Sequence, residues 1–111
     1  MANPMFVLKR SADAQFFFNL QAANGEVILT SETYPAKASA TQGTAAVQVN
    51  APLDERYVKY VSAKGEPYFV LRAANHEVIG KSEMYSSNAA LDGGIEAVKR
   101  AAPGAEVRDA T

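Results

Sequence analysis

The chain has 111 residues, 48% of them hydrophobic, and a formal charge of −1, which suits one ordinary domain able to bury its own core. Cysteine is absent, so disulfides, thiolate catalysis and cysteine-ligated zinc or iron–sulfur centres are excluded. Acidic and basic residues are scattered along the chain, and this pattern disfavours binding driven by nucleic-acid phosphates.

The N-terminus, Met1 to Arg10, lacks the basic segment and apolar run of a secretory signal. Nothing approaches the roughly 18 apolar residues that would span a bilayer. A cytoplasmic, monomeric protein is expected. The sequence then declares a repeat: residues 7–52 laid on 58–103 without a gap give 20 identities in 46 positions, which marks a tandem duplication with an offset of 51. The reading is a single domain over 1–111 made of repeat 1 at 6–56 and repeat 2 at 57–108.

Each repeat opens with a short strand and a turn, Phe6 to Ala12 and its copy at Tyr57 to Ala63. A second strand follows, in which Phe18, Leu20 and Ala22 recur as Phe69, Leu71 and Ala73. Their period of two places them on one face, the core face. The intervening Phe17, Asn19 and Gln21 become Tyr68, Val70 and Arg72 and are assigned to the other face. Asn24-Gly25 is a hairpin signal, because both central residues of a type I′ turn need positive φ; the copy reads Asn75-His76. A two-residue loop would set Ala22 opposite Val27 and Leu20 opposite Leu29, with Ile28 and Thr30 facing away from the core. A three-residue bulged loop would swap those faces. The first is preferred, since Lys81 at the Thr30 position suits an open face.

After the third strand comes Ser31-Glu32-x-Tyr34, repeated as Ser82-Glu83-x-Tyr85, and then a helix. The apolar stripe of that helix is Ala36, Ala40, Gly43 and Ala46/Val47 in one copy and Leu91, Gly94/Ile95, Val98 and Ala102 in the other. The recurring Gly43 and Gly94, each costing about 1 kcal/mol against Ala, suggest a helix backbone held close to the sheet. Both helices stop at Ala-Pro, Ala51-Pro52 and Ala102-Pro103. A charged, strand-like tail closes each repeat, Leu53 to Arg56 and Glu106 to Arg108. The fold class is therefore α+β: two β3-α-β repeats, pseudo-two-fold related, forming one antiparallel-rich sheet with both helices on one face. One repeat alone buries too little to be stable.

The duplicated Leu-x-Ala-x-Asn-x-Glu-x-Ile and Ser-Glu-x-Tyr strings, followed by a glycine-containing helix, resemble the YegP-like family of small bacterial proteins over essentially the whole chain. The resemblance implies exchanged C-terminal strands and a bacterial origin, and it implies no activity. His76 in place of Gly25 and Pro35 before the first helix are the departures.

Chemistry is sparse. His76, the one histidine, falls at a hairpin tip with no second ligand or nucleophile beside it, so it is read as a turn residue. Neither a phosphate-binding glycine loop nor a metal-ligand spacing occurs, and no cofactor, metal or catalytic residue is assigned. Glu32, Tyr34, Glu83 and Tyr85 would form an acid–base constellation only if they converged across the pseudo-axis in one pocket; otherwise Ser terminates the strand pairing and Tyr seals the core edge. The face away from the helices, with Phe17, Asn19, Gln21 and Ile28 in one copy and Tyr68, Val70, Arg72, Ile79 and Lys81 in the other, is the remaining candidate surface. A one-sided antiparallel sheet ordinarily shows such mixed residues to water with no ligand at all; as a function, the face supports a non-catalytic interaction module with a protein partner, ahead of an enzyme or small-ligand binder or a weak single-stranded nucleic-acid binder. Self-association through free strand edges is the further alternative.

Overall fold

The period-two apolar positions become strands of a single sheet in the computed structural model, which describes residues 3–111. Seven strands and two helices form: β1 Met5–Arg10, β2 Phe16–Gln21, β3 Val27–Thr30, α1 Lys37–Asn50, β4 Tyr57–Val61, β5 Pro67–Arg72, β6 Val78–Lys81, α2 Asn88–Ala101 and β7 Glu106–Asp109. The strand order is β4-β5-β6-β3-β2-β1-β7. All pairs are antiparallel apart from β1 with β7, which run parallel. At the centre of the sheet β3 and β6 join the two halves through one residue pair, Thr30 opposite Lys81. These residues are 51 apart, so the pseudo-two-fold axis passes between them.

Both helices cover the same sheet face. Phe6, Phe18, Leu20, Leu29, Phe69 and Leu71 from the strands join Ala40, Val47, Leu91, Ile95 and Val98 from the helices in one core, where burying each large side chain is worth about 1.5–3 kcal/mol. Each helix also reaches across the axis: α1 touches β5 and β6, and α2 touches β2 and β3. Neither half owns a complete core.

The mid-helix glycines have a sharper cause than closeness to the sheet. A Cβ on Gly43 would lie 2.6 Å from the Tyr34 hydroxyl oxygen, and one on Gly94 would lie 2.5 Å from Cζ of Tyr85. The repeated tyrosine thus occupies the space that a helix side chain would need. Ala36, placed in the apolar stripe by its spacing, instead caps α1 from the outside and is exposed.

The hairpins use the bulged loop, not the two-residue one. Gly25 N–H donates to the Ala22 carbonyl and Ala22 N–H to the Glu26 carbonyl, both at 2.9 Å, a three-residue loop that needs only one left-handed residue. Gly25 supplies it at φ 86°, and His76 does so in the copy at 72°. The Asn24 side chain is spent accepting from Glu26 N–H at 3.0 Å, which favours an ordinary turn at Asn24 over type I′. Gln21 therefore faces Val27, while a second irregularity restores Leu20 opposite Leu29. That bulge turns Ile28 and Ile79, assigned above to the open face, into the core at 7% exposure each.

The two tails also differ. Glu106–Asp109 is the strand β7 and crosses to the first half, as an exchanged C-terminal strand should. The tail of the first repeat is not a strand: Asp54–Arg56 is a single 3₁₀ turn, because the next residue, Tyr57, already begins β4 and no chain is left to form one. β7 is tied down by Lys37 Nζ donating to Asp109 at 2.7 Å and by Gln48 Nε2 donating to the Ala105 carbonyl at 3.1 Å.

Two expectations follow. A Cβ added to Gly93 would meet nothing within 4 Å, whereas one on its neighbour Gly94 would run into Tyr85. Gly93→Ala should therefore stabilise by up to about 1 kcal/mol through helix propensity and Gly94→Ala should destabilise by about 1–3 kcal/mol through overpacking, read by chemical denaturation. The Lys37 and Thr111 hydrogen bonds hold the Asp109 carboxyl below its ordinary value of 3.8. A depressed carboxyl stabilises the fold above its unfolded value and ceases to do so as the pH falls toward the folded one. Amide protection across residues 106–109 should therefore decline below pH 3.8, and Asp109→Asn should remove that pH dependence.

Candidate functional site

At each strand exit the Ser-Glu-x-Tyr string does the same backbone work. Ser31 Oγ accepts from Phe18 N–H at 2.9 Å and donates to the Glu32 carbonyl at 2.7 Å; Ser82 Oγ accepts from Phe69 N–H at 3.0 Å and donates to the Glu83 carbonyl at 2.8 Å. Both serines are buried. The chain leaves the ladder there without orphaning a donor. Three residues later Tyr34 returns to pair with Phe16 through two backbone bonds. Tyr85 keeps one of these, to the Pro67 carbonyl at 2.8 Å, since proline has no N–H to give. The Tyr34 and Tyr85 rings stack on Phe18 and Phe69 at centroid distances of 6.5 and 6.3 Å.

The four side chains named as an acid–base constellation do not converge. Glu32 and Glu83 line one cavity of about 290 Å³ at the pseudo-axis, together with Thr30, Ser31, Lys81 and Ser82. The tyrosines are not among its walls, and their hydroxyls lie against the helix glycines. Burial, then the adjacent Glu32, raises the Tyr34 phenol above its ordinary pKa; burial, then Glu83, does the same for Tyr85. Neither phenol is poised to exchange a proton near neutrality. His76 sits exposed at its hairpin tip, and among the described residues no group of three or more histidine, aspartate or glutamate side chains is arranged to hold a metal.

The open face is the richer surface. Strand alternation and the observed registers place Val7, Lys9, Phe17, Asn19 and Gln21 there from the first half. Val58, Tyr60, Tyr68, Val70, Arg72 and Lys81 come from the second. The middle strands were legible from alternation, whereas Val58, Tyr60 and Lys9 on β1 and β4 were missed, although the same alternation reveals them once Phe6 and Tyr57 are taken as core residues. Asn19 is nearly buried, its Nδ2 donating to Thr30 Oγ1 at 2.9 Å. In the second half Tyr60 stacks on Tyr68 at 5.5 Å, Lys81 Nζ lies 4.8 Å from the Tyr68 centroid, and the Arg72 guanidinium donates to the Tyr60 hydroxyl. Arg72 Nε is buried with no acceptor. The same alternation brings Glu106 and Arg108 of β7 to this face. Its strands thus present Lys9, Arg72, Lys81 and Arg108 against the single carboxylate Glu106, on a chain whose net charge is −1.

The structural reading of the repeated string is open to a direct test. Ser82→Ala should cost about 1–3 kcal/mol, because it strands the buried Phe69 N–H. Glu83→Gln, at an exposed position, should stay within about 0.5 kcal/mol of the parent. Paired urea titrations of the two variants would decide it.

Comparison with known proteins agrees with this architecture. The chain matches the "Domain of unknown function (DUF1508)" twice, at residues 11–57 and 62–109. It is 54% identical over 106 residues to a UPF0339 protein of Bordetella pertussis, covering 96% of this chain and 95% of that one. The solution NMR structure of a UPF0339 protein from Shewanella oneidensis has a TM-score of 0.90 and 47% identity over 96% of this chain and 91% of its own. That of the protein of unknown function YegP from Escherichia coli has a TM-score of 0.93 and 45% identity, covering 100% and 96%. Among the described residues no helix is long and apolar enough to cross a membrane. With the domain present twice and full-length likeness to all three of these relatives, the chain belongs to the DUF1508 family of UPF0339, YegP-like proteins.

Proposed function

We propose that the chain is a non-catalytic binding module whose open sheet face docks a partner protein through carboxylates and apolar side chains. The observation that carries this reading is the segregation of charge: four cations and one carboxylate share a face with Val7, Phe17, Val58, Tyr60, Tyr68 and Val70 and the uncharged polar Asn19, Gln21 and Thr30. Complementary charge of this kind chooses a partner and speeds its arrival. The orphaned Arg72 Nε adds a donor that an incoming carboxylate would satisfy if it drew the guanidinium away from Tyr60.

Single-stranded nucleic acid fits less well. Base stacking needs a free ring face, and Tyr68 lies between Tyr60 on one neighbouring strand and Lys81 on the other. A small-ligand or enzymatic reading rests on the cavity shared by Glu32 and Glu83. Without the tyrosines it offers two carboxylates, one amine and two serines already committed to the backbone. Of these alternatives, the cavity is the one with a specific observation behind it.

The test uses the intact protein and a variant carrying Tyr68→Ser with Arg72→Glu, both verified as folded by circular dichroism. A partner captured by the parent should bind the variant at least about tenfold more weakly, a loss of about 1.4 kcal/mol, and should release as salt is raised. Equal retention by both proteins would remove the open-face reading, and shifts confined to Glu32 and Glu83 on ligand addition would replace it with the cavity.

A further inference from the structure

The sheet has seven strands where pseudo-symmetry would supply eight. β1 is covered by β7 in the register Phe6 opposite Val107 and Leu8 opposite Asp109. The counterpart of β1 is β4, with Tyr57 and Lys59 at the positions of Phe6 and Leu8, and β4 ends the sheet uncovered. The residues that would have covered it by symmetry are Glu55 to Val58, which already form the 3₁₀ turn and β4 itself. Beside this edge lies a groove of about 400 Å³ lined by Tyr57 and Ile95, by the carboxylates of Asp54, Asp92 and Glu96, and by Lys59 and Lys99. It occupies the place where β7 sits against α1 in the other half: Gln48, which donates to the Ala105 carbonyl, aligns with Lys99.

We propose that the β4 edge is a docking site for an extended peptide segment of a partner protein. The segment adds as an eighth strand, parallel to β4, in the register that β7 takes on β1. Adding a strand to a free edge uses main-chain hydrogen bonds for affinity and alternate side chains for selection. In this register the peptide sets an apolar residue opposite Tyr57, where β7 has Val107, and two residues later a carboxylate opposite Lys59, where β7 has Asp109. Lys59 Nζ is held at 2.9 Å by Asp92, and both side chains are more than half exposed. An exposed pair of this kind is weak and can trade partners. Lys99 Nζ, paired with Asp54, lines the groove where Gln48 holds the Ala105 carbonyl just before β7 in the other half, and its remaining N–H groups can serve the same use.

The same lysine argues for a peptide over a second copy of the chain. β4 reads Tyr-Val-Lys-Tyr-Val with Lys59 at its centre, so two copies pairing antiparallel along this edge would set Lys59 against Lys59. An inward charge on an edge strand is a recognised guard against such pairing, and it becomes a recognition element for a strand that brings the opposite charge. The site lies on the edge and the helix side of the sheet, apart from Tyr68 and Arg72 on the open face.

The probe is a synthetic peptide with the sequence of residues 104–111, Gly-Ala-Glu-Val-Arg-Asp-Ala-Thr, titrated into the isotope-labelled full chain. Saturable amide shifts and gained exchange protection should map to Tyr57–Val61 and to Asp92 and Lys99. Changing the peptide's aspartate to lysine, or Lys59→Glu in the protein, should weaken binding at least about tenfold. Combining the two changes should restore it, which damage to the fold would not do. The proposal fails if millimolar peptide leaves β4 unmoved, if the shifts fall on β1 and β7 because the peptide merely displaces the resident strand, if the paired charge reversal does not rescue, or if β4 shifts appear on concentrating the protein alone, which would make the occupant a second copy.

Discussion

Everything in this fold is positioned by a tyrosine ring lying between a sheet and a helix glycine. Ser31 and Ser82 close the ladder by taking the N–H of the core phenylalanine. The chain then turns far enough to lay Tyr34 on Phe18 and Tyr85 on Phe69. The ring fills the gap under the helix, and only a residue without a Cβ can sit above it. Serine, phenylalanine, tyrosine and glycine are thus one device spread over 26 residues, from Phe18 to Gly43. Changing any one member disturbs the contacts of the other three. This is why the copies agree so densely from Phe18 to Tyr34 and again at the glycine.

The pseudo-axis imposes the second constraint. Residues that straddle a two-fold axis meet their own counterparts, and a large side chain there must share space with itself. The duplication resolves the conflict by giving one copy Leu29 and the other Gly80: a Cβ at Gly80 would fall 2.6 Å from Leu29 Cδ2. On the opposite face the corresponding pair is Thr30 and Lys81, a short side chain beside a long one. Two identical halves could not make either choice. Fusing them into one chain permits a tightly filled centre, and it also costs the first half its C-terminal strand, because that stretch must become the link into β4.

Most of the architecture was legible in the residues. Phe18, Leu20, Phe69 and Leu71 announced their face by spacing, and the Ala-Pro stops ended both helices within a residue or so of the observed boundaries. What escaped reading is where one local signal has two solutions. Asn-Gly fits a two-residue loop and also a three-residue loop with one left-handed residue; the choice fell to the Asn24 side chain, which accepts from the Glu26 N–H at the close of the loop. Ile28 and Leu29 are adjacent apolar residues, and only the bulge in their register brings both to the core. For the candidate surfaces, alternation named Tyr68, Val70 and Arg72. It did not bring Tyr60 onto Tyr68 or Glu32 toward Glu83, because those proximities depend on strand order and on where the axis falls.

Agreement and divergence between the copies therefore separate two kinds of demand. Where the halves agree, at Ser-Glu-x-Tyr, the hairpin asparagines and the helix glycines, most of the side chains are consumed by backbone bonds and close packing, and they have little left for a ligand. Where they diverge, the demand is not imposed by the fold, which tolerates either residue: Lys9 and Phe17 match Tyr60 and Tyr68, Gln21 matches Arg72, and Leu8 matches Lys59. In each of these the second half carries the more polar or more aromatic partner set, and it does so on the open face and along the uncovered edge. A ligand recognised by both halves alike would have kept both sets equal. On the binding reading proposed above, their inequality favours one partner that contacts the second half most, on a scaffold whose first half closes the sheet.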